Sequence, residues 1–176
     1  MPDINPIYLK GSKGYRYLFL NRKQILKYSK DPNNDMSEKF VEEALRHKEE
    51  CFAVLDGVKL ASYSWFSSMP SHARGELYFY FDKSYKYRHK AYTYPQYRGQ
   101  RLNTIFRAKA CEKYTKRGFK GLLSVVEYHN LNSLRSNYRL GPKDIGNIYV
   151  LMVFGKYFSY ADAGARKYGF KLKPFE

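Results

Sequence analysis

Two apolar runs on either side of one dipeptide restrict this chain more than any other feature. Residues 51–55 read Cys-Phe-Ala-Val-Leu, residues 58–66 read Val-Lys-Leu-Ala-Ser-Tyr-Ser-Trp-Phe, and Asp56-Gly57 separates them. Asp-Gly tolerates the positive φ of a tight turn, so the segment predicts a β-hairpin. The elements around it are set by local signals. Residues 15–20 read as a first strand, Asn21 as a cap before a helical stretch, and Ser37 as the start of a second helix. In that helix Phe40, Val41, Ala44 and Leu45 recur at helical spacing.

Beyond the hairpin, residues 67–75 read as a Ser/Pro loop, 76–81 as an aromatic strand and 86–93 as another strand. Residues 102–115 predict a helix with Leu102, Ile105, Phe106, Ala110 and Tyr114 on one face, stopped by Gly118. A buried strand is expected over 122–127, a short helix over 132–140 closed by Gly141, and strands over 145–154 and 168–173. This order predicts an α/β (α+β) sandwich on a mixed sheet.

The chain has 176 residues, 44% of them hydrophobic, enough for one compact domain and its core. No apolar run approaches the roughly 18 residues of a membrane span. The first residues, Met1-Pro-Asp-Ile-Asn-Pro, carry no secretory pattern. Cys51 and Cys111 lie far apart, which suits two reduced buried thiols and a cytoplasmic protein. The four histidines show no ligand spacing, so no metal is expected.

The net charge of +16 is unevenly spread. Residues 1–82 hold 12 basic and 11 acidic side chains, whereas residues 83–176 hold 20 and 5. A field of this kind attracts phosphates, RNA or acidic proteins. It also suits nothing more than a solvated basic surface.

The most informative stretch is Tyr94-Pro-Gln-Tyr-Arg-Gly-Gln-Arg-Leu-Asn-Thr104, between a strand and an amphipathic helix. A turn there aims main-chain N–H groups and a helix N-terminus at one point, an anion site in the making. Gly99 permits close approach of the backbone, while Arg98 and Arg101 add charge.

In this block the chain resembles the GNAT acyltransferase superfamily, whose corresponding turn reads Pro-x-x-Arg-Gly-x-Gly-x-Gly/Ala and cradles the pyrophosphate of coenzyme A. Pro95, Arg98 and Gly99 fall in register, whereas Arg101 and Asn103 replace the later small residues. A second block lies beyond it at the family's spacing: Val126, Asn130, Ser133 and Gly141, with Pro142 in place of the usual Phe. The resemblance implies a mostly antiparallel central sheet of six to seven strands flanked by about four helices. It further implies an acceptor-side half over 1–82, a coenzyme A half over 83–176, and acetyl-CoA or another acyl-CoA as co-substrate.

On this resemblance the cofactor contacts are Thr93, Tyr94, Arg98, Gly99, Gln100, Arg101, Leu102, Asn103, Asn130, Ser133 and Asn137. A main-chain N–H at Thr93 or Tyr94 would polarise the thioester carbonyl. The family's acid for the thiolate, a Tyr seven residues after the Asn, falls on Asn137 with Tyr138 beside it. Glu127 and Glu76 are the candidate bases, Glu127 through burial at a strand end, though pairing with a nearby cation would serve as well. Asn130 is equally suited to capping the short helix. The implied activity is transfer of an acyl group to a small-molecule or peptide amine, with a homodimer left open. An acidic partner, acyl-carrier protein or RNA, would account for the surplus charge, and an RNA-binding or non-catalytic coenzyme A-binding module stands as the rival reading.

Overall fold

The computed structural model describes residues 6–8, 10, 14–138 and 143–175. Its elements are β1 (Tyr15–Phe19), α1 (Arg22–Ser29), α2 (Glu38–Arg46), β2 (Glu50–Asp56), β3 (Lys59–Ser67), β4 (Ser71–Arg74), β5 (Leu77–Tyr80), β6 (Lys86–Thr93), α3 (Leu102–Lys116), β7 (Leu122–Leu123), α4 (Leu131–Tyr138), β8 (Ile148–Val153), β9 (Lys156–Ala161), α5 (Ala163–Lys167) and β10 (Lys171–Pro174). The predicted hairpin is β2–β3, turning at Gly57 with φ +57°. Asn21 and Gln24 form a reciprocal capping box on α1, and the Ser37 side chain caps α2.

β2 and β3 are buried along almost their whole length because helices cover both faces. Successive strand residues point to opposite faces. Phe66 therefore meets Phe106 and Tyr114 of α3, while Trp65 meets Phe40 of α2 edge-on at 5.1 Å. Trp65, Phe66, Phe106 and Tyr114 are fully shielded from water, each contributing roughly 1.5–3 kcal/mol through its burial.

The sheet differs in extent from the expectation. Five strands run β1-β2-β3-β6-β7, while β10-β5-β4 form a separate sheet and β8–β9 a two-stranded ribbon. Sequence reading made residues 67–75 a loop and placed neither β4 nor the β9–α5 unit. β4 is four residues of half-exposed hairpin with no apolar periodicity to announce it. The helix-closing role given to Gly141, with Pro142 after it, lies outside the described residues.

Two features of β6 open a gap in the sheet. Its parallel pairing with β7 consists of Lys86↔Leu122 and Tyr87↔Leu123 alone, so the strand expected over 122–127 leaves the sheet after Leu123. Further along, Lys90 and Ala91 both face Ser64, and Lys90 takes φ +41°. Such a bulge bends its strand and sharpens the twist, carrying the end of β6 away from β7. A splay thus opens between the two strands toward the turn before α3. Among the described residues no helix is long and apolar enough to cross a membrane.

Candidate active site

The turn between β6 and α3 begins with a single 3-10 turn, Pro95–Tyr97, in which the proline ring presets the backbone. Gly99 follows at φ +78° and Arg101 at φ +57°. Arg101 is the N-cap residue of α3 and makes no capping hydrogen bond from its side chain. The fifteen-residue helix therefore presents its positive end without a side-chain cap. A Cβ on Gly99 would meet no atom within 4 Å, so glycine is needed for its dihedral angle rather than for space.

Arg98 closes the turn from within. Its Nε donates to the Thr93 carbonyl at 3.0 Å, and its guanidinium lies 5.9 Å from the Tyr92 ring centroid. Gln100 accepts from the Tyr15 hydroxyl at 2.7 Å, binding the turn to β1. A cavity of about 420 Å³ opens at this point, lined by residues of β6 (Tyr92, Thr93), the turn (Arg98, Gly99, Arg101), α3 (Asn103) and α4 (Ser133). A neighbouring hollow of about 520 Å³ joins Tyr8 to Gly99, Arg101 and Thr104.

The structure separates the two main-chain donors that sequence reading left as alternatives. The Tyr94 N–H donates to the Ala61 carbonyl at 3.1 Å and is spent in the sheet. That bond makes Ser62↔Thr93 a non-hydrogen-bonded pair, which turns the N–H and C=O of Thr93 away from β3, toward the splay. Tyr94 itself is buried, with its hydroxyl on Asn34. Burial pushes its ionisation well above the ordinary phenol value.

Of the expected cofactor contacts, Thr93, Arg98, Gly99, Arg101, Leu102, Asn103 and Ser133 share the cavity wall. Asn130 stands outside it and accepts from the Ser133 N–H at 3.1 Å, the capping arrangement for α4. Asn137 accepts from Arg107 of α3.

The expected acid and bases are not gathered there. Tyr138 is 69% exposed, one helical step from Asn137 and turned to solvent. Glu127 was expected to be buried at a strand end; because β7 stops at Leu123 it lies in an exposed segment, paired with His129 at 3.0 Å. Glu76 occupies the exposed turn between β4 and β5, not the start of a strand, in the sheet that does not border the cavity.

Sequence reading passed over a different pair. His89 lies on β6 just before the bulge, and its Nε2 is 3.0 Å from Glu49 Oε2, with both side chains largely buried. Its ring is stacked beside Tyr87 and edge-on to Phe40. The carboxylate orients the imidazole, leaving Nδ1 for a second partner. Position in a strand interior gave no signal of this, since Glu49 is forty residues away.

No protein-family model matches the chain, and no curated protein matches it in sequence. Solved structures do match in three dimensions. The aminoglycoside acetyltransferase AAC(6')-Iy, bound to a coenzyme A bisubstrate analogue, superposes with a TM-score of 0.59 at 12% identity, over 81% of this chain and 97% of its own. A Bacillus halodurans protein described as a transcriptional regulator gives 0.56 at 13%, over 80% and 99%. A Trypanosoma brucei acetyltransferase gives 0.54 at 13%, over 79% and 99%. The chain has the GNAT fold.

Proposed function

We propose that this chain is an acyl-CoA-dependent N-acyltransferase, moving an acyl group, in the simplest case acetyl, from coenzyme A to a primary amine. The observation that carries this reading is the α3 N-terminus without a side-chain cap, opening through Gly99 and Arg101 onto a cavity at the mouth of a strand splay. Main-chain N–H groups in that conformation suit a pyrophosphate. The coenzyme A analogue bound to AAC(6')-Iy supports the same cofactor class.

In this reading the Thr93 N–H stabilises the thioester oxygen as charge develops on it. The amine nitrogen attacks the thioester carbon, a C–N bond forms, the C–S bond breaks, and its electron pair leaves with sulfur. His89, oriented by Glu49, takes the proton that nitrogen loses, and Glu127 and Glu76 become secondary candidates. The acceptor is a small-molecule or peptide amine bound against the first half of the chain.

Calorimetric titration with coenzyme A, with acetyl-CoA and with single-stranded RNA tests the reading against its RNA-binding rival. Release of free thiol in the presence of a panel of amines separates an enzyme from a non-catalytic binder. Failure to bind coenzyme A while binding RNA would sink the proposal. Turnover with acyl-carrier protein and none with coenzyme A would change the donor while keeping the chemistry.

A further inference from the structure

Among the described residues, two guanidinium groups tied to the α3–α4 side of the cavity have no carboxylate partner. Arg88, on β6 directly after the last pair with β7, is 9% exposed and lies 5.7 Å from the Phe106 ring centroid. Its Nη2 donates to Asn103 Oδ1 at 2.7 Å, while its Nε has no hydrogen-bond partner among the described residues. Arg107 stands one helical turn beyond Asn103 and donates to Asn137 Oδ1. Among the described residues no carboxylate pairs with either arginine.

The electrostatics agree with the geometry. Burial, and then the charge of Arg107, hold Arg88 well below the usual guanidinium range. Burial brings Arg107 down to about 10. A guanidinium stays protonated near neutrality. Arg88, buried against the Phe106 ring with one amide oxygen, and the half-buried Arg107, held by another, leave part of their dehydration cost uncompensated. A third partner carrying negative charge removes that deficit.

Its place is fixed by the neighbours. Asn103 holds Arg88 and lines the cavity, and Ser133, one turn before Asn137 on α4, lines it too. The pair is thus tied to the α3–α4 side of the cavity without lining it, Arg88 through Asn103 and Arg107 through Asn137. The phosphates have their own site at the turn, so the anion is a different part of the ligand. The fork of an arginine matches a planar carboxylate, and a second fork beside it completes a clamp.

We propose that Arg88 and Arg107 form a subsite for the distal carboxylate of the acyl group, so that the preferred donor is a short dicarboxylic acyl-CoA of the succinyl kind. The inference rests on the coenzyme A reading of the cavity and specifies its acyl group. The distal carboxylate takes no part in bond changes. The C–N bond forms and the C–S bond breaks as before, and the proton lost by nitrogen balances the one sulfur gains.

The test compares initial rates with succinyl-CoA and acetyl-CoA at a fixed amine, beside calorimetric titration of each and of free coenzyme A. The wild type should favour succinyl-CoA in kcat/KM by about tenfold or more, the least that hydrogen bonds to a charged group contribute. Arg88→Met and Arg107→Met should each bring that ratio close to unity, with free coenzyme A still bound. Methionine fills a similar volume without charge, and a thermal melt checks folding; Arg88→Lys keeps charge without the fork and should give an intermediate ratio. A wild-type preference for acetyl-CoA, or an equal loss with both donors in Arg88→Met, overturns the carboxylate subsite while leaving the cofactor reading intact. Absence of any coenzyme A binding overturns both. Should the variants fail to fold, the wild-type ratio alone decides.

Discussion

The Tyr97 hydroxyl donates to the Asp56 carboxylate at 3.0 Å, and through it the turn before α3 is fastened to the turn of the β2–β3 hairpin. Tyr97 is buried, with the Tyr15 ring edge-on at 6.1 Å, and Tyr15 in turn reaches Gln100. The turn before α3 is thus braced from β1 and from the end of β2. Tyr97→Phe should lower stability by about 1 kcal/mol, the usual contribution of one such bond. Coenzyme A affinity should fall with it, because Gly99 and Arg101 lose their brace; a thermal melt and a titration on the same preparation check both.

Gly99→Val isolates the backbone of that turn. The added Cβ meets no neighbour, so the fold should survive, but a β-branched residue at φ +78° is strained. The turn should relax toward negative φ at a cost of about 1–2 kcal/mol in coenzyme A binding, roughly a tenfold loss of affinity. Unchanged affinity by calorimetry would mean that the phosphates bind elsewhere.

The buried His89–Glu49 pair carries the proposed proton transfer. His89→Gln should lower kcat by about 10²–10⁴-fold, as loss of a general base does, while leaving coenzyme A affinity in place. Glu49→Gln should reduce kcat less, since the imidazole keeps its place in the strand but loses the carboxylate that orients it. If Glu127→Gln rather than His89→Gln abolishes turnover, the base is the exposed carboxylate after all.

Glu50 joins the base of the splay to the end of α3, meeting Lys86 at 3.3 Å and Arg117 at 2.6 Å. Partial burial raises its ionisation, but the Arg117 hydrogen bond and the charges of Arg117 and Lys86 outweigh this and leave it below the ordinary 4.5. A carboxyl lowered on folding stabilises the protein above that ordinary value, and the contribution fades as pH falls through the folded one. Glu50→Gln should cost about 2–3 kcal/mol at pH 7, because Lys86 is left buried and unpaired. The melting curves of variant and wild type should converge on acidification below pH 4.5.

How much was legible in the sequence depends on the range of each interaction. Hairpin β2–β3, helices α1 to α3 and strand β6 were readable because their signals are local: Asp56-Gly57, the Asn21 and Ser37 caps, apolar periodicity. The turn at Gly99 was readable for the same reason, lying within eleven consecutive residues with a proline and a glycine at fixed offsets. Glu127 misled because strand membership was inferred from Val125 and Val126, whereas β7 ends where β6 diverges from it.

By itself the sequence determined the α/β class, the turn at Gly99 and the basic charge behind it, since these depend on neighbours in the chain. Only the tertiary structure decided that the Tyr94 N–H is spent on Ala61, that His89 meets Glu49, and that Arg88 and Arg107 are held by the amides of Asn103 and Asn137. Each of those facts depends on strand register and helix packing, which bring residues together across tens of positions with no trace in local pattern.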